Sequence, residues 1–589
     1  MSTVANSVPT REIKSSPAAG IRFPRRPAAD LQALTMDDTT TGDGSTTDDE
    51  PRAFVLGLDG IPWSLVERWT SAGELPHFAR LIDEGVAGTL ESTRPANTAL
   101  AWPSIATGVW PDKHGVYSFR GLTSAYRHRL NTSADVSHPS LWEMVSPAVA
   151  GNVPLTYPAT AIDGTMATGM LTPDLNDRFT HPPEFGAELT GRIPNYRIGL
   201  DWNKYRDRPR EFPPALDSLL SSRKRLMRLL TERDWRLAFF VYTEPDRLQH
   251  LLWDEQVLLD HYKDLDAILG EVLGTVSENT TVYVVSDHGF APIEKYVYVN
   301  AILREEGFLF EKEAEGTRST LSEIGITKAQ VRRLLARVGI DDKRLVSLLP
   351  RSFVERVADS IPGDHELHDV DYTRTEAFVH GAGNLYINDA ERFATGPVDP
   401  SEREAKKNEI AATLAGVTDP ETGEEVLIVH DGDELFPTDD RSPDLVLEPA
   451  EGYKPSLGLS ESIFVSEGVH DADHHPEGVF FAHGPDVAPG ASPTDAAVVD
   501  VAPTVLHGLG EAIPQDTDGR VLAETFAAGS PAAEREIETR EYTSVPTFDV
   551  TTDESRTVDR TKADSDDTNE AEEDFEGVED RLRGLGYLE

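Results

Sequence analysis

Cysteine is missing from all 589 residues, which excludes disulfides, thiolate metal sites and a cysteine nucleophile. Lysine is scarce, with 13 against 42 arginines. Positive charge as a whole is outnumbered: 55 Lys and Arg face 103 Asp and Glu, a formal net charge of −48. Such a field repels phosphate backbones, so no nucleic acid partner is expected, and anionic membranes are a still poorer match. The acid is spread along the chain rather than gathered in one tail. An acid-rich, lysine-poor surface resembles that of proteins from high-salt cytoplasm, where dense counter-ions screen self-repulsion. A halophilic source is the expectation. No apolar run reaches the ~18 residues of a membrane span. The first residues also lack the apolar centre of a signal peptide, which points to the cytoplasm.

What is present divides the chain. Residues 1–52 read as a disordered arm. Within it, residues 1–35 carry Arg11, Lys14, Arg22, Arg25 and Arg26 against Glu12 and Asp30, and the text from Met36 is acidic and rich in Thr and Gly. Either Met36 is the true translation start or the leader is an ordinary flexible arm. Residues 53–290 read as the first part of a core domain, 291–470 as a cap or insertion, 471–526 as the last part of the core, and 527–589 as an acidic, largely disordered tail. The apolar end of that tail, Arg581 to Leu588, is expected to dock back.

Three apolar runs have buried-strand character: Ala53–Leu58, Leu237–Tyr242 and Thr281–Ser286. Helical spacing appears over Trp63–Glu84, broken near Leu75-Pro76, and over Ala215–Thr231, His261–Val276 and Ala497–Gly510. Short strands are expected at Val86–Leu90 and Val479–Ala482. This alternation predicts an α/β fold, a mostly parallel central sheet sandwiched by helices. In the cap, Ala314–Ile361 reads as helical, with Arg332, Arg333, Arg337, Lys343 and Arg344, while Phe378–Asn388 and Val426–His430 read as strands.

Each core strand run delivers an acid at or just past its carboxyl end: Asp59, Asp246 and Asp287. In open α/β sheets that edge is where sites are built. Asp287 is followed by His288, and Asp246 lies four residues before His250, so a helix there would put both on one face. A late polar stretch adds His470, His474 and His475 as competing imidazoles. Singly, each has an ordinary alternative: a helix cap for Asp59, a surface pair for Asp246 and His250, a solvated loop for the late histidines, a loop brace for His114. Between these positions lies Ser92–Phe119, where Thr98 follows Pro95-Ala96-Asn97 and precedes a compact apolar segment. That places Thr98 near a helix N-terminus, where an anion is favoured. Because Pro103 is tolerated only in a first helical turn, the helix is expected to begin close to Trp102. A threonine hydroxyl needs a base or a metal to become a nucleophile. Two divalent cations about 4 Å apart would clamp the attacking and leaving oxygens of a phosphoryl transfer. Asp59, Thr98, Asp287 and His288 would hold one; Asp246, His250 and a late histidine would hold the other.

Taken together, LDG at 58–60, PANTALAWPSIATGVWPDKHGVYSF at 95–119, EPDRLQHLLW at 244–253, SDHGF at 286–290, DHHPEGVFFAHGP at 473–485 and DVAPTVLHGLG with DTDGRVL at 500–522 resemble the alkaline phosphatase superfamily. The resemblance is nearest to its type I phosphodiesterase/nucleotide pyrophosphatase branch and the phosphohydrolase/phosphomutase relatives, and it runs from about residue 53 to 525. It implies that Thr98 is the nucleophile and that Asp59, Thr98, Asp246, His250, Asp287, His288 and His474 are ligands of two divalent metal ions, Zn²⁺ first and Mn²⁺ as the alternative. His474 is chosen over its neighbours because DHHPEG resembles the family's His-Arg-Pro-Asp-Gly text. Asn97 is implied as a donor to a non-bridging phosphate oxygen and Trp102 as a pocket wall. Sulfatases share the fold but need a Cys/Ser-x-Pro-x-Arg motif, absent at 98–102. The expected activity is metal-dependent hydrolysis of a small-molecule phosphate ester through a phosphothreonine. The alternatives are a phosphomutase or a metal-stabilised binding protein without turnover. Nothing in the sequence decides the oligomeric state.

Overall fold

The computed structural model describes residues 50–206, 208–312, 370–381, 383–466, 471–542 and Val578. The stretch 314–361, expected to be helical, with its arginines, the arm before residue 50, His470 and the end of the tail lie outside the described residues.

An eight-stranded sheet forms the centre. Its order is Val86–Glu91, Glu477–His483, Thr280–Val285, Arg52–Leu58, Leu237–Tyr242, Ala148–Gly151, Gly164–Ala167 and Thr180–His181. The five strands from Thr280–Val285 to Gly164–Ala167 run parallel, while Glu477–His483 and Thr180–His181 pair antiparallel with their neighbours. The parallel strands are buried on both faces, which is why they read as unbroken apolar runs. Alternation then sorts the side chains. Phe54, Leu56 and Leu58 join one core with Phe240, Val284 and helices Trp63–Ser71, Pro76–Glu84, Phe212–Thr231 and Glu255–Thr275. Ala53 and Val55 join the other with Phe239, Val285 and helices Thr98–Thr107 and Val501–Leu509. Full burial of each large apolar side chain contributes about 1.5–3 kcal/mol. The expected α/β sandwich is the observed one.

The break near Leu75-Pro76 is real: one helix ends at Ser71 and the next starts at Pro76. Two expectations need correction. Phe378–Asn388 is a hairpin rather than one strand; Ala377–His380 and Asn384–Ile387 pair antiparallel. Gly381 and Gly383, both at positive φ, turn the chain between them. The helix expected to begin near Trp102 begins at Thr98 and carries Pro103 inside it. The Asn97 side chain fixes that start by accepting from Ala99 N at 2.9 Å, so the helix forfeits one internal hydrogen bond at Pro103 instead of starting later.

Between the two parts of the core, further sheets build the cap. Lys295–Tyr298 pairs with Tyr453–Ser456 and Phe464–Val465, and a four-stranded sheet joins the hairpin to Leu445–Pro449 and Leu427–Asp431. The cap has its own apolar core, including Val297, Phe378, Ile387, Ile410 and Leu447. No helix among the described residues is long and apolar enough to cross a membrane.

Candidate active site

The strands ending at Leu58, Tyr242 and Val285 are neighbours in the sheet, with Gly57 opposite both Val241 and Val285. Parallel pairing therefore brings their carboxyl ends, and the acids that follow, to one edge. Asp59 comes directly after its strand. Asp246 sits in the first turn of helix Glu244–Leu251, which places His250 one turn along the same face. Asp287 and His288 follow the third strand. His474 arrives on strand Ala472–His475, paired antiparallel with Gly289–Pro292 so that it lies opposite Phe290. Thr98 opens its helix. Asp59, Thr98, Asp246, His250, Asp287 and His288 are all buried.

The donor atoms converge. Asp246 Oδ1 lies 3.4 Å from His250 Nε2 and 3.3 Å from His474 Nε2, and the two imidazole nitrogens are 3.0 Å apart. On the other side, His288 Nε2 lies 3.1 Å from Thr98 Oγ1, 3.3 Å from Asp287 Oδ2 and 3.7 Å from Asp59 Oδ1. Asp246, His250 and His474 form one group of possible ligands and Asp59, Asp246 and His288 a second, so Asp246 belongs to both.

Hydrogen bonds orient these donors. His474 Nδ1 meets Ala96 O at 3.1 Å and His288 Nδ1 meets Gly289 O at 3.0 Å, so each Nδ1–H is donated and Nε2 is turned to the centre. Asp287 Oδ1 accepts from Gly60 N at 3.2 Å, and Asp59 Oδ2 accepts from Trp102 Nε1 at 3.3 Å. Asp59 Oδ1 and Asp287 Oδ2 have no hydrogen-bond partner among the described residues. Burial pushes the Asp287 carboxyl up to about 7, with the Asp246 charge adding to the push. Asp59 rises through burial and through Asp287 and Asp246. Burial would raise Asp246 as well, but His250 and Arg247 hold it well below the usual carboxylate range. Burial and the neighbouring His474 keep the His288 ring neutral.

This donor set fits divalent cations. Atoms that share a tetrahedral cation at about 2.0 Å lie about 3.3 Å apart, close to the 3.0–3.4 Å spacing of Asp246, His250 and His474; the atoms of the second group lie within 4.8 Å of one another. Orphaned oxygens on two crowded, buried carboxylates are the charge that a cation would offset.

A cleft of about 300 Å³ opens beside the site. Its core wall includes Ala96, Asn97, His250 and His474, and its cap wall Gly381, Leu447, Glu448 and Lys454. Asn97 thus stands on the cleft. Trp102 does not line it; the ring is wholly buried under the sheet and reaches the site through Asp59. His114 meets Ser104 Oγ at 3.1 Å and accepts from Val116 N, bracing the loop after the Thr98 helix. His475 accepts from Glu477 N. One neighbour went unnoticed in the sequence: Arg247, whose Nη1 lies 3.0 Å from Asp246 Oδ2. Its only signal was adjacency to Asp246.

Buried acids and imidazoles gathered around a hydroxyl at the carboxyl edge of a parallel sheet define a site suited to metal-assisted transfer of a phosphoryl group. The type I phosphodiesterase/nucleotide pyrophosphatase family matches over residues 53–477, and the chain belongs to that family. It is a phosphoric ester hydrolase of the alkaline phosphatase superfamily. Among solved structures, murine ectonucleotide pyrophosphatase/phosphodiesterase 5 is similar at 13% identity, over 80% of this chain and 97% of that chain, with a TM-score of 0.44. Phosphonoacetate hydrolase from Sinorhizobium meliloti 1021, in complex with phosphonoacetate, is similar at 16% identity, over 78% and 96%, with a TM-score of 0.49. No curated protein matches the sequence.

Proposed function

We propose that the chain hydrolyses small-molecule phosphate esters through a phosphothreonine on Thr98, with two divalent cations, Zn²⁺ first and Mn²⁺ as the alternative. The observation that carries this reading is the convergence of two sets of donors, both including Asp246, next to the Thr98 hydroxyl. Asp59, Thr98, Asp287 and His288 would hold one cation and Asp246, His250 and His474 the other; bound there, they would stabilise the Thr98 alkoxide and the charge on the phosphate oxygens.

The chain's own groups do the rest. Thr98 Oγ1 attacks phosphorus in line; the Oγ1–P bond forms, the ester O–P bond breaks and the alcohol leaves with a proton. Water then attacks the phosphorylated Thr98 from the leaving side, restoring its hydroxyl and releasing phosphate from a monoester or the remaining phosphomonoester from a diester. His288, its Nδ1–H spent on Gly289 O, turns Nε2 to within 3.1 Å of Thr98 Oγ1, so that one cation could take both atoms as ligands. Asn97 caps the helix through Oδ1 and offers its amide NH₂ to a non-bridging oxygen in the cleft.

Thr98→Ala tests the nucleophile. Turnover of an aryl phosphodiester is expected to disappear while bound metal stays near two per chain by elemental analysis; retained turnover refutes the assignment. Aryl monoester, diester and phosphonate substrates, each assayed in high salt with Zn²⁺ and Mn²⁺, define the preferred ester. A phosphomutase would return the phosphate to its substrate and release none.

A further inference from the structure

The two oxygens of Asp246 have unequal surroundings. Oδ1 faces His250 Nε2 and His474 Nε2. Oδ2 faces Arg247 Nη1 at 3.0 Å. Arg247 is 2% exposed, and its head group is held by more than this carboxylate. It lies over the Trp202 ring, 5.9 Å from the centroid, and its Nη2 meets the Met170 sulfur. The other acid close by, Glu244, is paired with Arg223 at 3.7 Å.

We propose that Arg247 is a positioning residue for the metal centre: by occupying Asp246 Oδ2 it leaves Oδ1 alone to be offered to cations. The inference rests on the two-cation reading of the site. A carboxylate with both oxygens available grips a cation side-on as readily as end-on, and Asp246 belongs to both donor groups, so its mode of binding affects both. The contact is a close charge pair between Nη1 and one carboxylate oxygen, and a guanidinium keeps its proton at any working pH. An aromatic face and a thioether then fix the guanidinium without competing for its charge.

The competing role is a counter-ion that merely balances a buried acid. The two roles predict opposite signs. If Arg247 only balances charge, replacing it with a neutral residue leaves the site more negative, and metal binding tightens or stays level. If it positions Asp246, binding weakens, by about 10–100-fold for loss of a group that orients a ligand.

The experiment is Arg247→Met, with Zn²⁺ affinity measured by chelator competition and the Co²⁺-loaded protein followed by visible absorption. Expected are weaker Zn²⁺ binding by at least tenfold and a changed Co²⁺ band, as a side-on Asp246 would add one ligand atom to the three that Asp246, His250 and His474 offer. Arg247→Lys keeps the charge without the planar head group that Trp202 and Met170 hold and is expected to recover only part of the loss. Unchanged or tighter Zn²⁺ binding by Arg247→Met overturns the proposal. Should that variant not fold, Met170→Ala decides: it loosens the guanidinium while leaving both charges, and at least threefold weaker Zn²⁺ binding is expected, with unchanged affinity overturning the proposal. Wild-type protein that binds no metal would instead sink the two-cation reading.

Discussion

Four of the candidate ligands have one atom tied to the fold and another aimed at the centre. His474 and His288 spend Nδ1 on backbone carbonyls, Asp287 spends Oδ1 on Gly60 N, and Asp59 spends Oδ2 on Trp102. This division fixes ring tautomers and carboxylate directions before any cation arrives. Trp102→Phe tests it where packing and hydrogen bonding separate best. The ring volume is largely kept, so the loss of stability is expected to stay near 1–2 kcal/mol by urea denaturation. The freed Asp59 is expected to lower kcat/KM about tenfold, equivalent to about 1.4 kcal/mol. A harsher variant lies on the strand itself. A Cβ at Gly57 would collide with the Trp102 ring on one side and Val241 on the other. Gly57→Ala is therefore expected to lower activity more than Trp102→Phe does, together with the melting temperature. If Gly57→Ala keeps wild-type activity, the indole does not transmit position to Asp59.

Helix Glu244–Leu251 carries two of the candidate ligands, Asp246 and His250, and its first turn is tied to helix Phe212–Thr231 by a buried ion pair, Arg223 with Glu244, each side chain 1% exposed. Arg223 also donates to Tyr196 Oη at 2.7 Å and contacts Ile198 O. Removing one partner of such a pair strands the other charge. Arg223→Met is expected to cost about 3–5 kcal/mol, and Arg223→Met with Glu244→Gln clearly less, since no lone carboxylate remains. Urea denaturation of the two variants checks this; equal losses would mean the ion pair is not the anchor. Elements of this kind differ in how well the sequence announces them. The three acid-bearing strands were legible because a parallel strand covered on both faces must be apolar throughout and must stop where the site begins. Thr98 was legible as a helix-start residue, but the start itself was misplaced: Pro103 argued for a later one, and the Asn97 cap outweighed it. The hairpin at Ala377–Ile387 was hidden because two short apolar strands around a glycine turn read as one run. The meeting of His474 with Asp246 depends on cross-strand pairing with Gly289–Pro292, which no local pattern encodes; only the resemblance pointed there. Trp102 was legible as an aromatic near Thr98, but its place beneath the sheet followed from packing against Gly57 and Phe239.

Over the whole molecule, a net charge of −48 opposes compaction and is relieved by counter-ions. Raising KCl from about 0.1 M to 2 M, where the screening length falls to about 3 Å or less, is expected to raise the melting temperature; a flat or falling curve would count against a high-salt habitat. The metal site adds a local version of the same repulsion, and its sign with pH is fixed. Without cations Asp287 titrates near 7, above the ordinary value of about 4 in the unfolded chain. A carboxyl raised in this way stabilises the fold below the unfolded value, and that contribution is lost as pH rises from about 4 through about 7. Asp59 acts in the same direction. Asp246 is depressed, so its contribution is lost only on acidification below the ordinary carboxylate value and stays constant across this window. Cation binding at these carboxylates, as proposed, would reverse the loss, because it needs them ionised and its affinity rises as protons stop competing. The gap in melting temperature between Zn²⁺-loaded and EDTA-treated protein is therefore expected to be larger at pH 8 than at pH 5.5. Buried histidines away from the site, such as His261 and His380, titrate in both samples and cancel in that difference. Asp287→Asn supplies the control. In EDTA it should lose less stability than wild type between pH 5.5 and pH 8, since an amide cannot ionise. A variant that matches the wild-type curve there would show that burial and the Asp246 charge do not raise Asp287 in the metal-free fold.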